Sequence, residues 1–516
     1  MATRAWSAVL SICFLTGCFL VGTPGPCEAI YVDKSNTLLI QGKFNTLATW
    51  RTADTPETNM VPIQAGDLVQ HRSTFIIDLK HNLGELFPVT TVSYYVQGRG
   101  FYDGVWDYGP SAFASNVSRR TFGLSNRDEI DEEKWDVELF QAYLDMNWGG
   151  FSLRIGKQAL SWGEMSVLRI FDASNPLDNQ SVGVDLEERI LPLSMIKLVF
   201  ATYDLGFLES ASFEGYFMPS FENYNGEVII AGSAIMPPIG RYNAANPFPP
   251  LPYVDIEIRE PRYGIRIGGI VGELQMNLGY YRKYGDVAYP RIRTSSFYVG
   301  LPSTMFINVP DAIELVTDVV DVWGGNFNYY WQILDVVVRG EIGYFIDEPM
   351  RVEGVNSPRP QPTVPLNFSN GKVPHYDVIR YGLGVDKNVR IRFLNNKKDF
   401  VLKLEYVGDK IIHFDKKTLW GWDDPDTGNT RYKDEYSSQI VFIAVNDWFS
   451  GNVEMSFTSI YDIEAKALLL MPRVTLSRHG NVEMSLSYRH TYAGSYKGIG
   501  YLQDANEVQV GFSYFF

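Results

Sequence analysis

The sequence predicts an all-β chain, a closed antiparallel transmembrane β-barrel of about eighteen strands, with sixteen as the alternative count. Three observations predict it. From Thr37 to the final Phe516, apolar and polar residues alternate in runs of roughly ten, and a period of two belongs to a strand with two environments. Tight turns alternate with long segments between the runs, as short periplasmic turns alternate with long extracellular loops in bacterial barrels. Aromatic residues make up 14% of the chain and gather at the ends of the runs, where two membrane interfaces place aromatic girdles.

Residues 1–29 read as a cleaved signal peptide. Arg4 precedes an apolar stretch, Ala8–Val21, then Gly22-Thr-Pro-Gly-Pro26, and Cys27-Glu28-Ala29 offers small residues for cleavage before Ile30. The stretch is too short for a permanent transmembrane helix. A second reading of the leader places a lipid on Cys18, within Leu15-Thr-Gly-Cys18. Cys13, Cys18 and Cys27 all lie in the segment expected to be removed. A mature chain of residues 30–516 then has no disulfide, no Cys-zinc site and no thiolate nucleophile. The net charge of -15 is spread without basic blocks, which argues against nucleic acid as a partner.

In chain order the runs lie near Thr37–Leu47, Gln70–Lys80, Val92–Tyr102, Asp136–Met146, Phe151–Gln158, Met195–Tyr203, Ala211–Met218, Tyr263–Ile270 and Glu273–Lys283. They continue at Val319–Tyr330, Leu334–Phe345, Asp377–Asp386, Phe400–Val407, Gln439–Asn446, Asn452–Tyr461, Ala467–Ser477, Val482–His490 and Glu507–Phe516. Asn147-Trp-Gly-Gly150, Asp204-Leu-Gly-Phe207, Val271-Gly272 and Asn446–Ser450 are among the tight turns. Asp462–Lys466 breaks the rule, being short where a long loop is due, and merging strands there gives the count of sixteen. An even number puts both termini on the periplasmic side. Gly451-Asn-Val-Glu-Met-Ser-Phe457 recurs as Gly480-Asn-Val-Glu-Met-Ser-Leu486, two rising strands of one hairpin design.

The final strand, Glu507–Phe516, carries Val508, Val510, Phe512, Tyr514 and Phe516 on one face. Its Gln509, Gly511, Tyr514 and Phe516 resemble the C-terminal signal by which bacterial barrel-assembly machinery recognises its clients. Closure requires this strand to pair with the first one, expected over Leu38–Thr46.

Alternation also assigns the lumen. A charge facing lipid at the midplane costs roughly 2–4 kcal/mol, so strand charges fall on the other parity. Arg99, Arg154, Arg266, Arg339, Glu341, Glu454, Glu483 and Arg489 therefore face inward, together with Gln97, Lys197, Glu214, Lys403, Glu405 and Arg473. Mixed signs on neighbouring strands suit ion-pair ladders that rigidify a wall, and equally a polar track for a solute. The loop after Phe151–Gln158 carries an apolar, Trp-bearing stretch, Trp162–Phe171, which is better buried than exposed. Either it folds into the lumen as a constriction lined by Trp162, Glu164, Arg169 and Asp172, or it packs on the wall.

At this loop the chain resembles a proteobacterial outer-membrane family catalogued as domain of unknown function thirteen-zero-two. The resemblance rests on Gly156, Lys157, Gln158, Trp162, Gly163, Glu164, Asn175 and Pro176. Further matches follow at Leu208–Pro219, at Tyr263-Gly-Ile-Arg-Ile267 with Leu278-Gly-Tyr-Tyr281, and at Val322-Trp-Gly-Gly325 with Arg339-Gly-Glu341. It implies a porin-like barrel with a transport role, linked to hydrophobic compounds and to inner-membrane exporters. It transfers no substrate and no site.

Other classes are weaker. His71, His81, His375, His413, His479 and His490 show no metal or catalytic spacing, and His490 with Thr491 and Ser495 reads as a rim cluster rather than a dyad. No enzyme is expected, and no cofactor. Asp424 and Asp426 lie in a turn-rich loop that also has the look of a calcium site. A barrel sheathing a periplasmic lipoprotein or a multihaem cytochrome is the alternative to a channel; the chain has no C-x-x-C-H of its own. The expected partners are outer-membrane lipid, the assembly machinery and a periplasmic lipoprotein or exporter component.

Overall fold

The structure is a computed structural model that describes residues 30–33, 35, 37–54, 63–87, 90–110, 134–167, 169–171, 174–176, 190–219, 260–285, 289–292, 313–316, 318–349, 375–414, 420–423, 430–432, 434–478, 481–494, 498–504 and 506–516. Residues 1–29, where a cleaved leader is expected, lie outside them, as do Asp424 and Asp426.

Eighteen strands close one antiparallel barrel. They are β1 (Leu38–Arg51), β2 (Leu68–Phe87), β3 (Thr90–Asp103), β4 (Trp135–Trp148), β5 (Phe151–Gln158), β6 (Leu193–Leu205), β7 (Leu208–Met218), β8 (Arg262–Val271) and β9 (Leu274–Tyr284). Next come β10 (Val319–Trp331), β11 (Val336–Pro349), β12 (His375–Val389), β13 (Phe400–Ile411), β14 (Tyr436–Trp448), β15 (Val453–Asp462), β16 (Ala467–Arg478), β17 (Val482–Ala493) and β18 (Glu507–Phe515). Each strand pairs with the next in the chain, and β18 pairs with β1. The turns after even-numbered strands are short, and Gly206 and Gly272 adopt the positive φ that such turns need.

The short connection 463–466 belongs to the eighteen-strand barrel and not to a merged strand. Asp462 explains it. Its Oδ1 accepts the Ala465 N–H at 2.9 Å and its Oδ2 the Ile499 N–H at 3.3 Å. The one carboxylate thus caps the turn and holds the 3₁₀ segment Gly498–Asp504 over it.

The closing pair corrects the expected register. Glu507–Phe515 pairs with Lys43–Arg51, and not with Leu38–Thr46. Two features fix this. Glu507 is enclosed between Arg51 at 3.1 Å and Arg489 at 2.9 Å, so β1 must run on to Arg51. At the other end the Phe516 ring lies where a Cβ on Gly42 would be 2.3 Å away, and it stacks on Phe75. Leu39 and Ile40, left beyond the end of β18, pair with the two-residue strand Ile30–Tyr31. Both described ends of the chain are therefore at the short-turn rim.

Alternation is realised as an apolar exterior. Ile155, Ile196, Leu198, Ile267, Leu278, Ile342, Leu383, Leu404 and Leu486 are exposed on strands around the barrel, which is stable only against lipid or a comparable apolar medium. No helix among the described residues is long and apolar enough to cross a membrane.

Candidate functional site

The described residues of the Trp162–Phe171 stretch, 162–167 and 169–171, turn into the lumen and lie along the wall from β7 to β16. The family-like motif supplies its hinge. Gly156 has φ 135°, and a Cβ there would strike the Ala142 carbonyl oxygen; only glycine fits. Buried Gln158 donates from Nε2 to the Met195 carbonyl at 3.3 Å. Asn175 joins the two ends of the segment: its Oδ1 accepts the Leu160 N–H at 3.0 Å and its Nδ2 donates to the Leu191 carbonyl at 2.8 Å.

Outward from this hinge, the segment is held residue by residue. The Trp162 indole, 2% exposed, packs among Phe171, Tyr216 and Tyr281. Its Nε1 donates to Glu214 at 3.0 Å, and Arg266, paired with Glu214 at 2.8 Å, sits over its ring. Asn326 Nδ2 donates to the Trp162 carbonyl at 2.5 Å. Glu341 accepts the backbone N–H groups of Glu164 at 2.9 Å, Met165 at 3.2 Å, and Phe171. Glu405, 0% exposed, accepts the Ser166 N–H at 3.0 Å. Arg339 joins the segment to Glu405. It donates to the Glu164 carbonyl, to Glu405 at 2.8 Å and to Asp386 at 2.7 Å.

These are charge-assisted bonds from main-chain groups to buried carboxylates, each worth about 1.5–3 kcal/mol. Backbone donors left without partners in a lumen would be expensive. The two carboxylates meet that need, and each keeps a positive or dipolar partner that offsets its own burial.

Beneath the segment the wall is made thin. Gly279 and Gly324 lie side by side in register on β9 and β10, and the Phe171 ring fits over both. A Cβ on Gly382 of β12 would come within 2.6 Å of Ile170 and 2.9 Å of Met165. Ile170 continues into an apolar floor of Val407, Val441, Ile460 and Leu469.

The opposite wall, β2 to β5, is polar and half-exposed. Tyr95 and Gln97 donate to Asp78 at 2.6 and 2.7 Å. Arg154 pairs with Asp145 at 2.6 Å and lies over Tyr143. Among the described residues none of these side chains bonds to the infolded segment.

The inward residues expected from sequence thus separate into groups. Trp162, Glu164, Arg266, Arg339 and Glu341 come together at the segment. Arg169 is half-buried on it, and Asp172 lies outside the described residues. Arg154 lies on the polar wall. Arg99 pairs with Glu138 and stacks on Phe140, the unpaired residue of a bulge between β3 and β4. Arg489 belongs to the closing pair. Glu454 is exposed near the short-turn rim, and Glu483 there accepts a bond from Ser477 at 3.4 Å. Of the C-terminal signal, Gln509 faces inward and accepts from Ser487, Gly511 leaves room for Ser485, and Tyr514 stacks on Phe516. Glu405, Asn326, Tyr216 and the three glycines complete the site. Among the described residues no group of three or more His, Cys, Asp or Glu is placed to hold a metal ion.

The structure is similar to several solved barrels. A BenF-like porin from Pseudomonas fluorescens Pf-5 aligns over 94% of this chain and 99% of its own, with 8% identity and a TM-score of 0.46. Acinetobacter baumannii OccAB1 aligns over 95% and 99%, with 9% identity and a TM-score of 0.46. Pseudomonas aeruginosa opdK aligns over 93% and 98%, with 8% identity and a TM-score of 0.43. Likeness at this level says nothing of solute or site. No curated protein matches the chain. The family described as Protein of unknown function (DUF1302) matches residues 11–516, so the chain belongs to that family.

Proposed function

We propose that this protein is a channel in a bacterial outer membrane, with its short turns in the periplasm, and that it passes a solute along the polar wall beside the infolded segment. A closed barrel with an apolar exterior and both ends at one rim supports the location. The observation that carries the channel reading is one-sided filling: Glu341 and Glu405 hold the segment to one wall, while Asp78, Gln97, Tyr143 and Arg154 on the other keep partial exposure. The family resemblance makes a hydrophobic compound the first cargo to try. A sheath around a periplasmic partner has less support, because the chain's own segment occupies part of the bore such a partner would thread.

Planar-bilayer recording tests this. The intact protein should conduct, and a variant lacking 163–171 should show a larger unitary conductance. Equal conductance would remove the segment from the permeation path. Silence from both proteins at every voltage would favour the sheath.

A further inference from the structure

The turn between β12 and β13, residues 390–399, differs from the other short turns. Its sequence, Arg390-Ile-Arg-Phe-Leu-Asn-Asn-Lys-Lys-Asp399, carries four basic residues against one acid in a chain of net charge -15. It is also firmly built. Buried Asn395 accepts the N–H groups of Lys397 and Lys398 at 2.9 and 3.2 Å. Its Nδ2 donates to Asn446 Oδ1 at 2.5 Å and to the Asp447 carbonyl at 2.8 Å. Trp448 Nε1 reaches the Leu394 carbonyl at 3.5 Å.

Asn446 and Trp448 share a parity with exposed Ile440, so they stand on the outer face of β14. The turn is therefore clamped at the rim against the outward side chains Asn446 and Trp448 of β14, while its Lys398 reaches Asp447 on the inner parity. There Phe393, 87% exposed, and Leu394 project together. Arg390 is paired with Asp399, and Lys398 with Asp447 at 3.5 Å. Arg392 and Lys397 are exposed and have no carboxylate partner among the described residues.

We propose that this turn binds the anionic phosphate headgroups of phospholipid in the adjoining leaflet. Phe393 and Leu394 enter the interface below the headgroups, and Arg392 and Lys397 take the phosphates. An aromatic and an aliphatic tip beside unpaired cations, held at the rim, matches the two-part chemistry of an anionic membrane surface. The inference rests on the membrane reading above but not on conduction.

The test is native mass spectrometry of the full chain in detergent, titrated with phosphatidylglycerol or phosphatidylcholine. Phosphatidylglycerol should be retained in preference. The double variant Arg392→Gln, Lys397→Gln should weaken that retention about thirtyfold, since one cation near an anionic surface contributes about fivefold. These side chains take no part in the clamp, so the barrel stays folded, and unchanged heat-modifiability on a gel checks it. Equal retention of both lipids, or equal phosphatidylglycerol retention by variant and parent, overturns the proposal. Bilayer recordings of the same samples keep the readings apart: a silent barrel with lipid preference intact removes the channel and leaves the lipid site.

Discussion

Glu341 is a lumenal carboxylate used as a receptor for main chain. Its three N–H donors belong to Glu164, Met165 and Phe171. Parity alone brought Arg339, Glu341 and Glu405 to the inner face. Their role was not legible, because the groups they hold are main-chain amides, which every residue carries and no pattern marks. The glycines were hidden for a related reason: Gly279 and Gly324 mean nothing until pairing sets them side by side. Gly382 gives the sharpest test at this scale. A Cβ there meets only the ends of flexible side chains, Ile170 and Met165. Gly382→Ala should leave barrel melting within about 1 kcal/mol of the parent. It should also lift the segment, seen as a changed unitary conductance and faster proteolysis within 163–171.

Among the elements, strand interiors were readable and strand ends were not. β1 runs to Arg51 because a buried ion pair draws it there, and β2 reaches Phe87, well past Lys80, with two irregularities against β3 near its end. Alternation says nothing about either. The strand Ile30–Tyr31 went unseen because two residues have no period. It is placed next to a clasp: Asp33 accepts the N–H groups of Leu38 at 2.7 Å and Thr37 at 2.9 Å, and the Thr37 hydroxyl at 2.7 Å. The Leu38 N–H first, and then the Thr37 hydroxyl, hold its pKa down to about 2 from 3.8. A carboxyl depressed on folding stabilises above its unfolded value and loses that effect as pH falls through the folded one. The clasp should therefore hold from neutrality to about pH 4 and open between about pH 4 and pH 2. Hydrogen exchange at the Leu38 amide, corrected for intrinsic rate, reads this directly. Asp33→Asn should lose the protection at neutral pH already.

For the molecule as a whole, the barrel class, the eighteen strands and the inward parity all followed from a period of two with alternating connection lengths. The one-sided lumen did not, because it depends on which wall an apolar loop meets. Leu278, 71% exposed in the middle of β9, stands for the outer belt. Leu278→Arg should destabilise the barrel in bilayers by about 2–4 kcal/mol, measured by denaturant titration. Gln97→Arg, on the inner face beside Asp78, should change little. Equal effects at both positions would deny the barrel its lipid belt.

The carboxylates that receive the infolded segment stand 170 to 239 residues farther along the chain. Bringing groups so far apart in the chain together carries a large closure cost unless the strands between them are already paired. The seat of the segment on β11 and β13 therefore depends on the continuity of the sheet that joins them to β5, and the internal obstruction is only as firm as the ring that encloses it.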